Sequence, residues 1–169
     1  MEIVRTRVTK ETKLKEALKT MERGDIIRFR GGQEWKILDK TEDGKEILIW
    51  KCGGIDNHVF NEDGSNVYED SDIQKYLEGE FWQTVPDEIA AMVDDQGFFL
   101  LTAEQVKLFM PTERERIATD LDGYTTWWWT STPGVGGGSY VRYVHPSGYI
   151  YGNNANSSNG VAPACVINP

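Results

Sequence analysis

Residues 124–169 hold one charged side chain, Arg142, in 46 positions, although Asp, Glu, Lys and Arg make up 27% of the whole sequence. The segment reads YTTWWWTSTPGVGGGSYVRYVHPSGYIYGNNANSSNGVAPACVINP: tryptophan, then glycine, then tyrosine, serine and asparagine. Such a mixture is poor at making helix and offers little for general acid–base chemistry. Tyr supplies rigid amphipathic area at low rotamer cost, and Ser, Asn and Gly supply adaptable hydrogen bonding, as in the binding loops of recognition proteins. The expectation is a ligand-binding surface near the C-terminus, built on a folded scaffold.

The rest of the chain bounds that scaffold. Its 169 residues fit one domain over 1–169, with an N-terminal helical segment at 1–23 and the binding region at 124–169. The formal net charge is -9, and because Arg142 is the tail's one charge, residues 1–123 are one unit more negative still. This acidic body disfavours nucleic acid, whose phosphates need clustered Lys and Arg, and also disfavours anionic lipid. The opening MEIVRTRVTKETKLKEALKTMERG holds no apolar run like a secretory h-region, and no stretch reaches the roughly 18 apolar residues of a membrane span. The expected setting is therefore virion-associated or cytoplasmic, unless export follows a route the sequence does not display. Cys52 and Cys165 make neither a metal motif nor a disulfide framework, so buried free thiols are expected, with no metal and no cofactor.

Along the chain, Leu14, Ala17, Leu18 and Met21 form one stripe of a helix over residues 12–22. Three β-like runs at 25–30, 34–39 and 46–51, separated by Gly31-Gly32 and Glu42-Asp43-Gly44, predict a meander of hairpins. Residues 53–70 are polar and turn-rich; the Asp63-Gly-Ser-Asn inside lacks the full calcium-loop pattern. Ser71 reads as the N-cap of a helix over 72–81, and Pro86 as the first turn of another over 84–93. Residues 98–101 predict a short buried strand, and Thr102 with Gln105 opens a helix to 109 that Pro111 stops. Residues 112–122 read as a charged surface excursion, with Glu113/Glu115 and Asp120/Asp122 on a solvated face. Strands are expected at 139–145, 148–151 and 160–167.

Taken in order, GDIIRFRGGQEWKIL, SDIQKYLEGEFW, FFLLTAEQV, WWWTSTPG and GVAPACVI resemble a family of small domains with a C-type-lectin-like fold. Its members occur in gut bacteria and their phages and are distantly related to formylglycine-generating enzymes. The resemblance covers roughly residues 24–167. It departs from the family where Thr130 and Ala162 stand in place of two common arginines. It implies an α+β fold with a small antiparallel or mixed sheet, two or three helices and a loop-rich C-terminal half. Some members of this fold class are the variable proteins of diversity-generating retroelements, in which template adenines are randomised and AAY asparagine codons scatter into many residues. Residues 130–169 lack Lys, Glu, Gln, Met and Trp, which such scrambling cannot produce, and are rich in the Tyr, Ser, Asn, Gly and His that it can.

Within the tail, Val141 and Val144 are expected to face the core, reconciled by a bulge because they stand three apart. That leaves Tyr140, Arg142, Tyr143 and His145 for solvent, with Tyr149 and Tyr151 on one face of the next strand. Asn153, Asn154, Asn156, Ser157, Ser158 and Asn159 form a loop without an apolar anchor. These twelve residues are the candidate ligand-binding surface, since Tyr and Arg dominate interface hot spots. The partner expected is a protein or glycan receptor on a cell or phage surface. Trp127, Trp128 and Trp129 point to alternating sides of a strand, so they make no flat sugar-stacking platform and are expected in the core with Trp35, Trp50 and Trp82. No Ser-His-Asp, Cys-His or G-x-S-x-G arrangement is visible, so non-catalytic binding is the expectation. Two alternatives stand beside it: a formylglycine-generating-type oxidase, which needs paired reactive cysteines, and an undiversified structural or tail component that self-associates as a homo-oligomer.

Overall fold

The computed structural model describes residues 2–3 and 11–169, so part of the expected N-terminal helical segment, residues 1 and 4–10, lies outside the described residues. Helix α1 (Glu11–Leu18) buries Leu14 and Leu18 and ends four residues earlier than its apolar stripe suggests. Lys40 stops it by donating from Nζ to the carbonyls of Leu18, Lys19 and Met21, groups that a helix end leaves without partners.

The expected meander forms as strands β2 (Ile26–Arg28), β3 (Glu34–Lys40) and β4 (Ile47–Gly53), all antiparallel. Strand β1 (Glu2–Ile3) pairs with β2 at one edge of this first sheet. The last strand, β12 (Ala164–Ile167), returns to pair with β4 at the other, giving the order β1-β2-β3-β4-β12. Consecutive Ile37 and Leu38 are both buried because β3 has core on each face, Ile37 in one apolar cluster and Leu38 in the other; the register with β4 shifts between Ile37 and Asp39.

A second sheet holds β5 (Asn57–Val59), β8 (Trp128–Pro133), β9 (Tyr140–Val144), β10 (Ile150–Asn154) and β11 (Ser158–Gly160), in the order β10-β9-β8-β11-β5. Its pairings are antiparallel except β8 with β11, which is parallel. Strands β6 (Ala118–Thr119) and β7 (Thr125–Thr126) make a separate small ladder. With few helices and several sheets, the architecture is α+β.

The helical expectations need trimming. Helix α2 (Asp72–Glu78) is capped by Ser71 as expected, but the chain breaks at Gly79 and continues as a 3-10 turn over Glu80–Thr84. The helix expected at 84–93 shrinks to α3 (Asp87–Ala90). Helix α4 (Ala103–Phe109) carries the reciprocal Thr102/Gln105 capping box. Residues 98–101 contribute one bridge, Phe99 to Ala164, rather than a strand. The stretch expected as a loop at 53–70 contributes β5.

Two apolar clusters hold the sheets together. One gathers Trp35, Ile37, Ile49, Phe60, Leu77 and Phe81 with Trp129 and Val141; the other gathers Trp50, Leu101, Val106 and Ala164 with Trp128 and Val144. Each large side chain sealed in this way contributes roughly 1.5–3 kcal/mol. Trp50 and Trp128 pack at 4.9 Å, and their ring N–H groups donate to Ala162 O and Arg116 O, so neither indole leaves a donor unpaired. Trp127 departs from the core expectation, being 47% exposed, and Trp82 is only partly buried.

Candidate functional site: an aromatic face on the second sheet

Strand β9 explains how the tail divides its side chains. Val141 belongs to the cluster of Trp129 and Val144 to that of Trp128, so both are sealed on opposite faces of a strand with core on each side. No bulge in β9 is needed, and its register with β10 is unbroken from Tyr140↔Asn154 to Val144↔Ile150. The irregularity lies in β8, where Trp129 pairs with Tyr143 but Pro133 is next to pair, with Val141. The looped-out Thr130 is buried and donates its hydroxyl to Arg142 O at 2.8 Å.

Alternation therefore splits the expected surface in two. Tyr140 and Arg142 stand on the Val144 side of β9, whereas Tyr143 and His145 stand on the Val141 side. On that second side the register aligns Trp129, Tyr143 and Tyr151 across three strands. Next to it stand Trp127, His145 and Tyr149; His145 N donates to Tyr149 O at 2.8 Å. The rings touch in sequence: Trp127–His145 at 6.3 Å, His145–Tyr151 at 5.6 Å and Tyr151–Tyr143 at 6.3 Å. Trp129 is sealed beneath Phe60, and Tyr143 is half-buried against the same cluster. Trp127, Tyr149 and Tyr151 remain 47%, 56% and 50% exposed, so the row passes from core to solvent.

The amide-rich segment is a tight connection rather than an open loop. Asn153 and Asn154 end β10, and Ser158 and Asn159 begin β11. Ala155 is its apolar anchor: it is buried, its N–H donates to Ser139 O, and its carbonyl accepts from Phe60 N and Asn61 N. Asn154, Asn156 and Ser158 are exposed, and Asn153 and Ser157 half-buried. Asn159 corrects the expectation of exposure, since it is 2% exposed and its Nδ2 group has no hydrogen-bond partner. It pairs with His58 of β5, between that strand and Trp127, whose carbonyl accepts from Gly160 N.

Two side chains outside the expected set hold this face in place. Arg116, placed by sequence in a charged excursion, is buried and donates to Met110 O, Pro111 O and Gly148 O. It ties the β9–β10 turn to the end of α4. Gly148 has φ +89°, and any Cβ there would run into the Glu113 backbone. Inside the turn, Ser147 N donates to His145 Nδ1 at 3.0 Å. Asn66 secures the glycine-rich β8–β9 connection through its N–H to Gly138 O and its Nδ2 to Gly137 O and Tyr140 O. Neither Arg116 nor Asn66 lies in a recognisable motif, and nothing in the Glu113-Arg114-Glu115-Arg116 run marks Arg116 rather than Arg114 as the buried one.

The remaining reactive groups sit elsewhere. Cys52 and Cys165 fall in different clusters, and burial pushes the Cys52 thiol up to about 12 and Cys165 well above its ordinary value. Lys51 is buried on β4 with Nζ 5.3 Å from the Phe81 ring centre, and burial lowers it to about 8 against the opposing pull of Asp56. Among the acid pairs, Glu115 accepts from Thr112 and Asp120 accepts from Asp122 N and Tyr124 N, so both shape local turns. Among the described residues no group of three or more His, Cys, Asp or Glu could hold a metal ion, and no helix is long and apolar enough to cross a membrane.

Residues 93–169 match the family described as Domain of unknown function (DUF6273). That stretch contains the whole aromatic face, while the strands that β12 and β11 pair with on their far sides, β4 and β5, precede it. The chain matches no curated protein at a significant level.

Proposed function

We propose that this chain is a non-catalytic binding protein of C-type-lectin-like architecture that captures a protein or glycan target through the aromatic face of its second sheet. The observation that carries the reading is the row Tyr143–Tyr151–His145–Trp127, which starts against the packed core at Tyr143 and runs out to half-exposed Tyr151 and Trp127, with half-exposed Tyr149 beside them. A surface of this kind puts large rigid contact area on a fixed backbone, which limits the entropy lost on binding. The return of the last strand to β4, below a loop-rich second sheet, supports the lectin-like assignment. The separation of the two thiols, each kept protonated by burial, favours binding over oxidase chemistry.

The sharper form of the proposal makes the chain the hypervariable recognition protein of a diversity-generating retroelement. The exposed positions 140, 149, 151, 154, 156 and 158 carry Tyr, Asn and Ser, of the kind that adenine scrambling yields, while Val141, Val144 and Ala155 between them are sealed. Side chains can then vary at the surface over an unvarying framework. Two experiments test the proposal. Labelled full-length protein is scored by flow cytometry on a panel of bacterial cells: Trp127→Ala/Tyr151→Ala loses the signal and Arg142→Ala, on the other face, keeps it. Equal staining by all three would remove the face from the account. For diversification, the expected genomic sign is a near-identical downstream repeat differing mainly at adenines, beside a reverse transcriptase gene; its absence leaves an undiversified binding domain.

A further inference from the structure

We infer that the ligand of this face is an uncharged glycan, a deduction that rests on the binding reading above and names the chemistry of its target. Tryptophan and tyrosine rings present apolar faces that suit the C–H faces of sugar rings, while neighbouring polar groups meet the hydroxyls. Trp127, Tyr149 and Tyr151 supply three half-exposed rings, and the contacts along the row repeat at 6.3, 5.6 and 6.3 Å. The rings are tilted between 37° and 89° to one another, which fits a single twisted chain better than a flat polymer surface.

Three further observations set the chemistry. The row itself carries no carboxylate, lysine or arginine, because alternation sends Arg142 to the other side of β9. Asn159, on the same side and flanked by Trp127 and His58, is a buried amide whose Nδ2 donor the protein leaves unpaired. An unpaired buried donor costs about 1–3 kcal/mol, and because this amide is sealed, a water admitted beside it rather than the ligand itself would relieve that cost and link it to a ligand hydroxyl. Beyond it, His58 stacks on Tyr76 at 4.6 Å and 24°, at a cleft of about 420 Å³ whose charged lining is three carboxylates, Glu62, Asp72 and Glu80, against one ammonium, Lys75. Carboxylates accept hydrogen bonds from sugar hydroxyls but repel uronate, sulfate or sialate groups, as does the net charge of -9. The face therefore selects against anionic glycans.

Affinity electrophoresis of the full chain tests this, with gels cast with soluble β-glucan, mannan, xylan or galactan, and parallel gels with alginate or heparin. At least one neutral polymer is expected to slow migration twofold or more, with no slowing by the anionic ones. Trp127→Ala and Tyr151→Ala should each abolish the shift, and Arg142→Ala should keep it. No shift in any neutral gel, a shift confined to anionic gels, or an undiminished shift for Trp127→Ala would overturn the inference. A second arm separates this failure from failure of the binding reading. On stained bacterial cells, signal that periodate removes and protease spares supports a glycan. Signal that protease removes and periodate spares overturns the glycan while leaving the face as a binding site for protein.

Discussion

The two sheets use the same residue types to opposite ends. In the first, Trp35 and Trp50 are both sealed among aliphatic residues, and the residues of β3 that meet solvent, Glu34, Lys36, Asp39 and Lys40, are charged. In the second, Trp128 and Trp129 are sealed in the same way, but Trp127 one step earlier is half-exposed and continues a row of rings out of the core. The difference lies in what covers each face. The first sheet has α1, α2 and the Glu80–Thr84 turn packed over one side. On the second, Phe60 covers the row at Trp129 and no described helix covers it at Trp127. An aromatic residue that in one sheet serves packing is, in the other, left available for contact.

The contrast is broken most severely at Trp129. Trp129→Ala should destabilise by about 3–5 kcal/mol in chemical denaturation, as for other large-to-small changes in a packed core. Trp127→Ala, two residues away on the same face, should cost no more than about 1 kcal/mol. Equal losses would mean that the row is packed throughout. Arg116→Met comes next, at about 2 kcal/mol, since it leaves the carbonyls of Met110, Pro111 and Gly148 without their donor. Amide exchange should also quicken around the β9–β10 turn, while exchange in the first sheet stays as it was.

Lys51 sharpens the comparison from the other side, as a charge buried in the sheet devoted to packing. Its ammonium is bound less tightly in the fold, at about 8, than in the unfolded chain, at the ordinary value of 10.5. Between those values the unfolded state holds more protons, so this group makes stability rise with pH there, and below about 8 the fold carries the full penalty. Lys51→Met should therefore be more stable than the parent at pH 7, by on the order of 1–3 kcal/mol. The gap should narrow from about pH 8 to 10.5 in paired unfolding curves. A constant gap would show that burial leaves the amine unshifted.

Much of the scaffold was legible in the sequence because its signals are local. Period-two aliphatic runs, glycine turns and the Ser71 and Thr102 caps each act within a few residues, and the meander and α2 and α4 follow from them. What stayed hidden depends on distant partners. Whether Val141 and Val144 need a bulge turns on there being core on both sides of β9, and the exposure of Trp127 turns on where Phe60 lies. The anchoring role of Ala155 turns on hydrogen bonds to Ser139, Phe60 and Asn61. Asn159 shows the limit of composition most plainly: it sits among exposed amides, yet pairing with β5 on one side and β8 on the other buries it. Arg116 was hidden for the same reason, its acceptors lying on α4's end and on a turn 32 residues further along.

The division between a sealed framework and an open aromatic face is tested most directly by the unfolding free energy of Tyr149→Ser/Tyr151→Ser, an exchange that removes two rings from the face and none from the clusters. The account predicts a loss within about 1.5 kcal/mol, the size of an edge-strand surface effect. A loss above about 4 kcal/mol, of the size expected when packed aromatics are removed, would contradict it.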